Sequence, residues 1–445
     1  MNPLFPFFLL KSYFTDVDRI KKDEEEIEKY REKQFKKIIK IALSTPLYRE
    51  KYKGINVEKI NLSEIEKLPI LTKNDLRKHF PDGIIPAGFK KKNAHIVSTS
   101  GSTGQPTSVY TDFYTIIKAL MGFVREIKEY GINWRKDRMT IIADLTPRAI
   151  EEAYLVKGIP FKFRNIQTLH IGEDVEKLIE KIDEFNPKFL GGYPGVLRAL
   201  AVLKNKGRGK NIEPEVIASS GAVLDEYTKR YIEDAFSARI YDVYGSTEAG
   251  PIAFECVKGN YHIHHDFVHL EFLNENFEPV KYGETGHIIV TKLYGKATPI
   301  IRYNGLNDFV IPLARKCSCG INTPLIEKIA GRKADSIITP DGKIIPPSSI
   351  TGIPGKVMEK MGTNKILQFQ IIQKSIDKIE VLIVIDEELR NKGASVEELF
   401  SELKKKFEER FDNKINVEVR EVEKIEKPPD LETPPPVVTS MVKIE

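Results

Sequence analysis

Residues Ser98-Thr99-Ser100-Gly101-Ser102-Thr103-Gly104-Gln105-Pro106-Thr107 place five hydroxyl side chains and two glycines ahead of a proline. Glycine lets a backbone approach an anion closely and turn its N–H groups inward, and serine and threonine add further donors. The segment reads as a phosphate-binding loop, against the plainer reading of a small polar surface turn. It is not a Walker A loop, because no Gly-Lys-Ser/Thr follows at the required spacing. It is not a dinucleotide fingerprint either, since no G-x-G-x-x-G opens a helix there.

A second group of residues could hold a metal. Cys256 and His262 form C-x5-H, and Cys317 and Cys319 form C-x-C. These are the only three cysteines of the chain, and an odd, sparse count argues against a disulfide framework. Three thiolates and one imidazole make a tetrahedral set suited to a structural Zn2+. His264, His265 and His269 are alternatives for the histidine. The plainer reading is a buried apolar Cys256 and an unremarkable turn at Cys317 and Cys319.

Further motifs lie between and after these groups. Tyr241-Asp242-Val243-Tyr244-Gly245-Ser246-Thr247-Glu248 is followed by Pro299-Ile300-Ile301-Arg302-Tyr303 through Asp308, and then by Gly331-Arg332 through Asp335 and Gly342. Together with the hydroxyl-rich loop they resemble, in order and spacing, the signatures of the adenylate-forming superfamily. Pro46, Tyr48-Arg49 and Leu68-Pro69-Ile70-Leu71-Thr72-Lys73 resemble the N-terminal region of its phenylacetate–CoA ligase branch. The resemblance covers nearly the whole chain.

That resemblance implies an α/β fold: a large N-terminal domain and a small, mobile α+β C-terminal domain. It also implies an ATP-dependent, AMP-forming acid–CoA ligase. ATP, a carboxylic acid and coenzyme A would be the substrates, with Mg2+ as cofactor and an aryl or related acid as the class. Ser100, Gly101, Ser102, Thr103 and Gly104 would hold the β- and γ-phosphates. Tyr244 would stack on adenine, with Ser220, Gly221 and Ala222 along its edge. Thr247 would contact the α-phosphate and Glu248 would help to hold Mg2+. Asp308 would accept from the ribose hydroxyls, and Arg332 would lie near ribose and phosphate. Some members of the branch carry a structural zinc, in agreement with the cysteine set. A homodimer and a cytoplasmic location are further expectations.

Three departures from the family pattern stand out. The stretch Tyr303-Asn304-Gly305-Leu306-Asn307 is about one residue longer than usual. Ala334 replaces the residue expected to pivot. No glycine occurs after Gly393, so the Gly-Lys signature of the catalytic lysine is missing; Lys443 lies nearest the right distance, with Lys427 and Lys424 as poorer choices. Two other functions therefore stand beside the ligase. One is an adenylyltransferase that moves AMP to a phenolic hydroxyl, for instance of a deazaflavin coenzyme, without a thiol. The other is a non-catalytic nucleotide-binding homologue.

The elements that must position these residues follow from patterning. Residues 19–42 repeat apolar side chains at helical spacing. Helices are expected at 113–129, 173–185, 195–205 and 225–236, with buried strands around Met139–Ile142, Phe189–Leu190, Val216–Ala218 and Ile288–Val290. Alternation of the two predicts a partly parallel sheet. Strands at 367–373, 379–385 and 415–422 with a charged helix at 395–410 predict a smaller α+β domain. The expected division is 1–330, with a helical segment at 1–80 and the zinc site, then 331–445.

In a chain of 445 residues the apolar fraction of 41% supplies a large core and excludes wholesale disorder. The net charge of +5 is small and spread along the chain, which argues against nucleic acid as a partner. No apolar run approaches the roughly 20 residues that span a bilayer, so no membrane partner is expected. Leu4-Phe5-Pro6-Phe7-Phe8-Leu9-Leu10 reads as a buried N-terminal anchor.

Overall fold

The computed structural model describes residues 5–98, 107–144, 164–426 and 436–442. The fold class is α/β, as expected, and the chain forms two compact units.

The first unit comprises 1–137, 148–164 and 241–328. Helix Glu24–Leu43 starts where the Asp23 side chain accepts from the Glu26 N–H, and it buries Ile27, Phe35, Ile38, Ile39 and Ala42 on one face. Helix Lys73–His79 starts at a capping box, in which Thr72 accepts from Asp75 N and Asp75 accepts from Thr72 N. Helix Phe113–Glu129 is likewise capped by Asp112.

Along the sheet of this unit the order is Val268–Leu273, Gly286–Lys292, Asp308–Leu313, Leu325–Arg332, Tyr261–Ile263, Gly250–Glu255 and Arg239–Ser246. A buried charge network anchors the helices to the loop before Val268. Asp266 is fully buried and accepts two hydrogen bonds from the Arg125 guanidinium at 2.9 Å and one from Arg19 at 3.1 Å.

The second unit comprises 138–147, 165–240 and 329–445. Its four parallel strands are ordered Val216–Ser220, Phe189–Gly192, Met139–Ala143 and Ile166–His170. Helices Val175–Phe185, Pro194–Asn205 and Glu226–Phe236 supply Leu178, Ile179, Ile182, Leu197, Leu200 and Ile232 to the core beside them. A second sheet, Asn416–Glu421, Lys378–Ile385, Ile366–Ser375 and Val438–Ser440, packs with helices Ile353–Lys360 and Val396–Arg410 around another core.

The units cut the chain differently from the expected 1–330 and 331–445, because 138–147 and 165–240 group with 329–445. Specific contacts explain the grouping. Arg198 donates to the Ile366 carbonyl at 2.8 Å and the Tyr227 hydroxyl to Asn364 Oδ1 at 2.8 Å. Arg230 makes a bidentate pair with Glu359. The N-terminal expectation also needs correcting. Phe7 and Leu10 are exposed on helix Phe5–Asp16, so that helix is only half covered. None of the described helices is long and apolar enough to cross a membrane.

Candidate functional site

In the first unit, strand Arg239–Ser246 ends in a tight return to strand Gly250–Glu255, with Ser246 paired to Gly250 and a bulge between Tyr244 and Gly245. That return presents Tyr244, Thr247 and Glu248 together. The Tyr244 hydroxyl donates to Asp308 Oδ2 at 2.5 Å. Asp308 is buried at the start of strand Asp308–Leu313. Such a short O–H···O⁻ contact fixes both the ring and the carboxylate. Thr247 is exposed and Glu248 is buried.

Glu248 is held from two sides. Its Oε1 accepts from the Tyr303 hydroxyl at 2.9 Å, and its backbone carbonyl accepts from Lys292 Nζ at 3.0 Å. Burial pushes the Lys292 ammonium down to about 8, against the opposing pull of Asp112 and Glu248. Tyr303 is fully buried, and reciprocal backbone bonds with Val290 set its register. A Cβ on Gly305 would lie 2.1 Å from the Tyr303 ring, so only glycine lets the loop fold over that side chain. The longer loop thus has a place. Arg302, next to it, turns the other way, pairing with Glu271 at 2.7 and 2.9 Å and donating to the carbonyls of Glu66 and Leu68.

In the second unit, Ser220 ends strand Val216–Ser220 and Gly221 and Ala222 follow it, all three exposed. They lie at the carboxyl end of a parallel strand, where open α/β sheets bind ligands. Gly221 has φ +87°, and a Cβ there would lie 2.4 Å from the ring of Tyr193. Burial and the neighbouring Asp144 push the Tyr193 hydroxyl up to about 12. Arg332 is exposed at the end of strand Leu325–Arg332.

Two expected groups lie outside the described residues: Ser100, Gly101, Ser102, Thr103 and Gly104, and Lys443 with Lys427. The flanks of the hydroxyl-rich segment are an antiparallel hairpin, Ala94–Ser98 with Ser108–Asp112, closed by Ser98 opposite Ser108. Lys424 is described, and its ammonium lies 3.3 Å from Glu426.

The thiol and imidazole set also comes together in the first unit. The ligand atoms of Cys256, His262, Cys317 and Cys319 all lie within 4.8 Å of one another. Cys256 Sγ is 3.7 Å from Cys317 Sγ, and Cys319 Sγ is 3.2 Å from His262 Nε2. A tetrahedron with metal–sulfur bonds of about 2.3 Å has S···S edges of about 3.8 Å. Burial lowers the His262 pKa to about 4, which keeps the ring neutral. Its Nδ1 faces Thr323 Oγ1 at 3.2 Å, an arrangement that leaves the Nε2 lone pair toward the sulfurs. The Lys258 N–H and Asn260 Nδ2 donate to Cys256 Sγ and Cys317 Sγ. His264 is instead engaged by Glu126 and Arg125. His265 and His269 are engaged by Glu28 and Arg31 respectively. None of the three is in the cluster.

The AMP-binding enzyme family model matches residues 42–293. The chain belongs to that family. A model described as the CapK C-terminal domain matches residues 337–430 of this AMP-binding chain. Protein CapK of Staphylococcus aureus is 26% identical over 436 residues, covering 94% of this chain and 90% of that protein. Phenylacetate-coenzyme A ligase of Thermus thermophilus is 24% identical over 307 residues, 62% of this chain and 63% of that enzyme. Such relatives place the chain in the phenylacetate–CoA ligase-like branch of the adenylate-forming superfamily. The fold is similar to that of a solved 2-hydroxyisobutyryl-CoA ligase, with a TM-score of 0.77 at 19% identity over 94% of this chain and 90% of that one.

The structure brings the expected Tyr244 and Asp308 together and adds contacts that spacing did not point to: Tyr303 and Lys292 on Glu248, Gly305 beside Tyr303, and Tyr193 beside Gly221. Tyr303 and Gly305 carried a signal, through their place in the lengthened stretch after Arg302.

Proposed function

We propose that this chain activates a carboxylic acid with ATP and passes the acyl group to the thiol of coenzyme A. The carboxylate oxygen attacks the α-phosphorus and the bond to pyrophosphate breaks. The thiol then attacks the acyl carbon, loses its proton, and AMP leaves. The observation that carries this reading is the Tyr244–Asp308 contact beside the anchored Glu248, in a chain of the AMP-binding family. Those are the group types needed to seat an adenosine and to neutralise charge at its phosphates.

In this reading Asp308, which also accepts from the Tyr244 hydroxyl, accepts from the ribose hydroxyls. Tyr244 presents its ring to adenine, and Ser220, Gly221 and Ala222 meet the adenine edge through their backbone. Thr247 contacts the α-phosphate. Ser100 through Gly104 take the β- and γ-phosphates, with Arg332 and Lys443 as the cations of the C-terminal part. Tyr303 engages Glu248 Oε1, so Oε2 is the oxygen that would hold Mg2+, a hard cation that takes carboxylate ligands. When bound, that ion offsets the phosphate charge. The acid is an aryl or related one. Cys256, His262, Cys317 and Cys319 would hold a structural Zn2+, supported by their spacing and by the N–H···S contacts.

The missing Gly-Lys signature favours the non-catalytic homologue, whereas Ala334 in place of the expected pivot residue is compatible with a second enzymatic reading. There the AMP goes to a phenolic hydroxyl, as of a deazaflavin, and no thiol is used. ATP–pyrophosphate exchange across aryl, short-chain and fatty acids, with coenzyme A omitted, tests the first step. Exchange with one acid followed by thiol-dependent AMP release establishes the ligase. Pyrophosphate release that requires a phenolic acceptor, with the AMP retained on that acceptor, establishes the second reading, and no exchange with any substrate in ATP-binding protein refutes both.

A further inference from the structure

Helix Phe5–Asp16 leaves one apolar side uncovered among the described residues. Phe7 is 61% exposed, Leu10 53% and Phe14 73%. Steps of three and four residues put these side chains on a single helical face. The opposite face holds the helix down. Phe8 packs edge-on to Tyr114 with ring centroids 5.4 Å apart, and Tyr13 lies against Trp134 at 6.2 Å. The helix's one carboxylate, Asp16, is buried beside Arg19 and Lys118. The helix is therefore docked, and the bare stripe is not a loose end.

Two cations flank the stripe, while the Asp137 carboxylate in the turn that carries Arg135 accepts from the Asn133 N–H. Lys11 is exposed, four residues after Phe7 and three before Phe14, so it stands on the same face. The Arg135 guanidinium lies over the rings of Tyr13 and Trp134, at 5.4 and 5.1 Å. No acidic residue occurs from 7 to 15. Nearby exposed Asp18 is already paired with Lys128.

We propose that this face seats the protein on an anionic bilayer surface, with the helix in the plane of the membrane. Apolar side chains of that size bury in the acyl boundary while lysine and arginine reach the headgroups, and tyrosine and tryptophan favour that depth. A second copy of the chain fits worse. A two-fold contact through the stripe would draw Lys11 and Arg135 of both copies into an interface to which residues 7–15 bring no carboxylate. A spanning segment is not involved, since none of the described helices is long and apolar enough. The expectation of no membrane partner gives way here to a peripheral one.

The test uses the full chain and co-sedimentation with vesicles of phosphatidylcholine alone or mixed with phosphatidylglycerol. The expected result is binding to the anionic vesicles at low salt, weakened at 0.5 M salt. A triple Phe7→Ser, Leu10→Ser, Phe14→Ser variant should bind at least about tenfold less, as should Lys11→Glu with Arg135→Glu. Both variants should keep the wild-type melting temperature and solution ATP–pyrophosphate exchange. Absence of wild-type binding overturns the proposal. So does binding that survives the triple variant, or binding equal on neutral vesicles. A concentration-dependent dimer abolished by the triple variant assigns the face to a second copy and equally overturns it.

Discussion

The Tyr303 hydroxyl stands 2.9 Å from Glu248 Oε1 in a buried setting, joining residues 55 apart in sequence. It gives Glu248 one fixed carboxylate oxygen. A hydrogen bond to a charged group contributes about 1.5–3 kcal/mol. Tyr303→Phe should therefore lower the rate of acid-dependent ATP–pyrophosphate exchange by about tenfold or more and raise the Mg2+ concentration needed for half-maximal rate. Gly305→Ala should do the same by displacing the ring. Glu248→Gln should abolish exchange while leaving the melting temperature within a few degrees. An unchanged Mg2+ requirement in Tyr303→Phe would separate Tyr303 from Glu248 function.

Asp308 and Tyr244 should act as a pair on nucleotide affinity. Asp308→Ala is expected to weaken ATP binding by about a hundredfold, the loss of two charge-assisted hydrogen bonds. Tyr244→Phe should cost less, about tenfold, because the ring remains. Calorimetric titration with ATP measures both. A double variant whose loss equals the sum of the singles would show that the 2.5 Å contact carries no coupling.

The cysteine and histidine set makes a prediction about metal. Purified protein should contain about one Zn2+ per chain, measured by plasma emission spectrometry. Cys317→Ser with Cys319→Ser should abolish it and lower the melting temperature. A strong chelator should reproduce both effects on the wild type. His264→Ala should leave the metal in place, since His264 is engaged by Glu126 and Arg125. A metal-free preparation of full stability would remove the zinc reading.

Asp266 makes the fold sensitive to acid. Burial opposes its ionised form, yet the Arg125 and Arg19 guanidiniums outweigh that and pull the carboxyl down to about 2, from an unfolded value of 3.8. A depressed carboxyl adds stability above its unfolded pKa and loses it as pH falls through the folded one. Its contribution should therefore be complete above about pH 4 and vanish progressively toward pH 2. Asp266→Asn leaves Arg125 buried without its counter-charge and should cost about 3–5 kcal/mol near neutral pH. Urea unfolding at pH 7 and pH 3 measures this. A variant equally destabilised at both would contradict the titration.

The groupings Tyr244–Asp308 and Cys256, His262, Cys317 and Cys319 were legible because such residue types recur in motifs of fixed short spacing. Tyr244 and Glu248 sit four apart on one strand return, and Cys317 and Cys319 are two apart in a chain with few thiols. Tyr303 was not legible as Glu248's partner, because their meeting depends on its pairing with Val290 and on the room left by Gly305. No local spacing encodes that. The same limit applies to Phe7 and Leu10. Their composition marks an apolar helix, but which side of it is covered depends on Tyr114 and Trp134, more than a hundred residues away. The grouping of 138–147 and 165–240 with the C-terminal part follows from Arg198, Tyr227 and Arg230, long polar side chains whose partners cannot be read from periodicity.

Arg302 ties the segment before Asp308 to the carbonyls of Glu66 and Leu68, the latter 234 residues earlier. Leu71 N–H donates to Arg302 O, and the Tyr48 hydroxyl bridges Pro299 and Ile301. During synthesis at about 5–20 residues per second, the early segment waits on the order of tens of seconds for these partners to emerge. For that interval Leu47, Leu68 and Leu71, all buried in the finished protein, lack part of their cover. Slow ribosomal transit through residues 72–299 would lengthen that exposure.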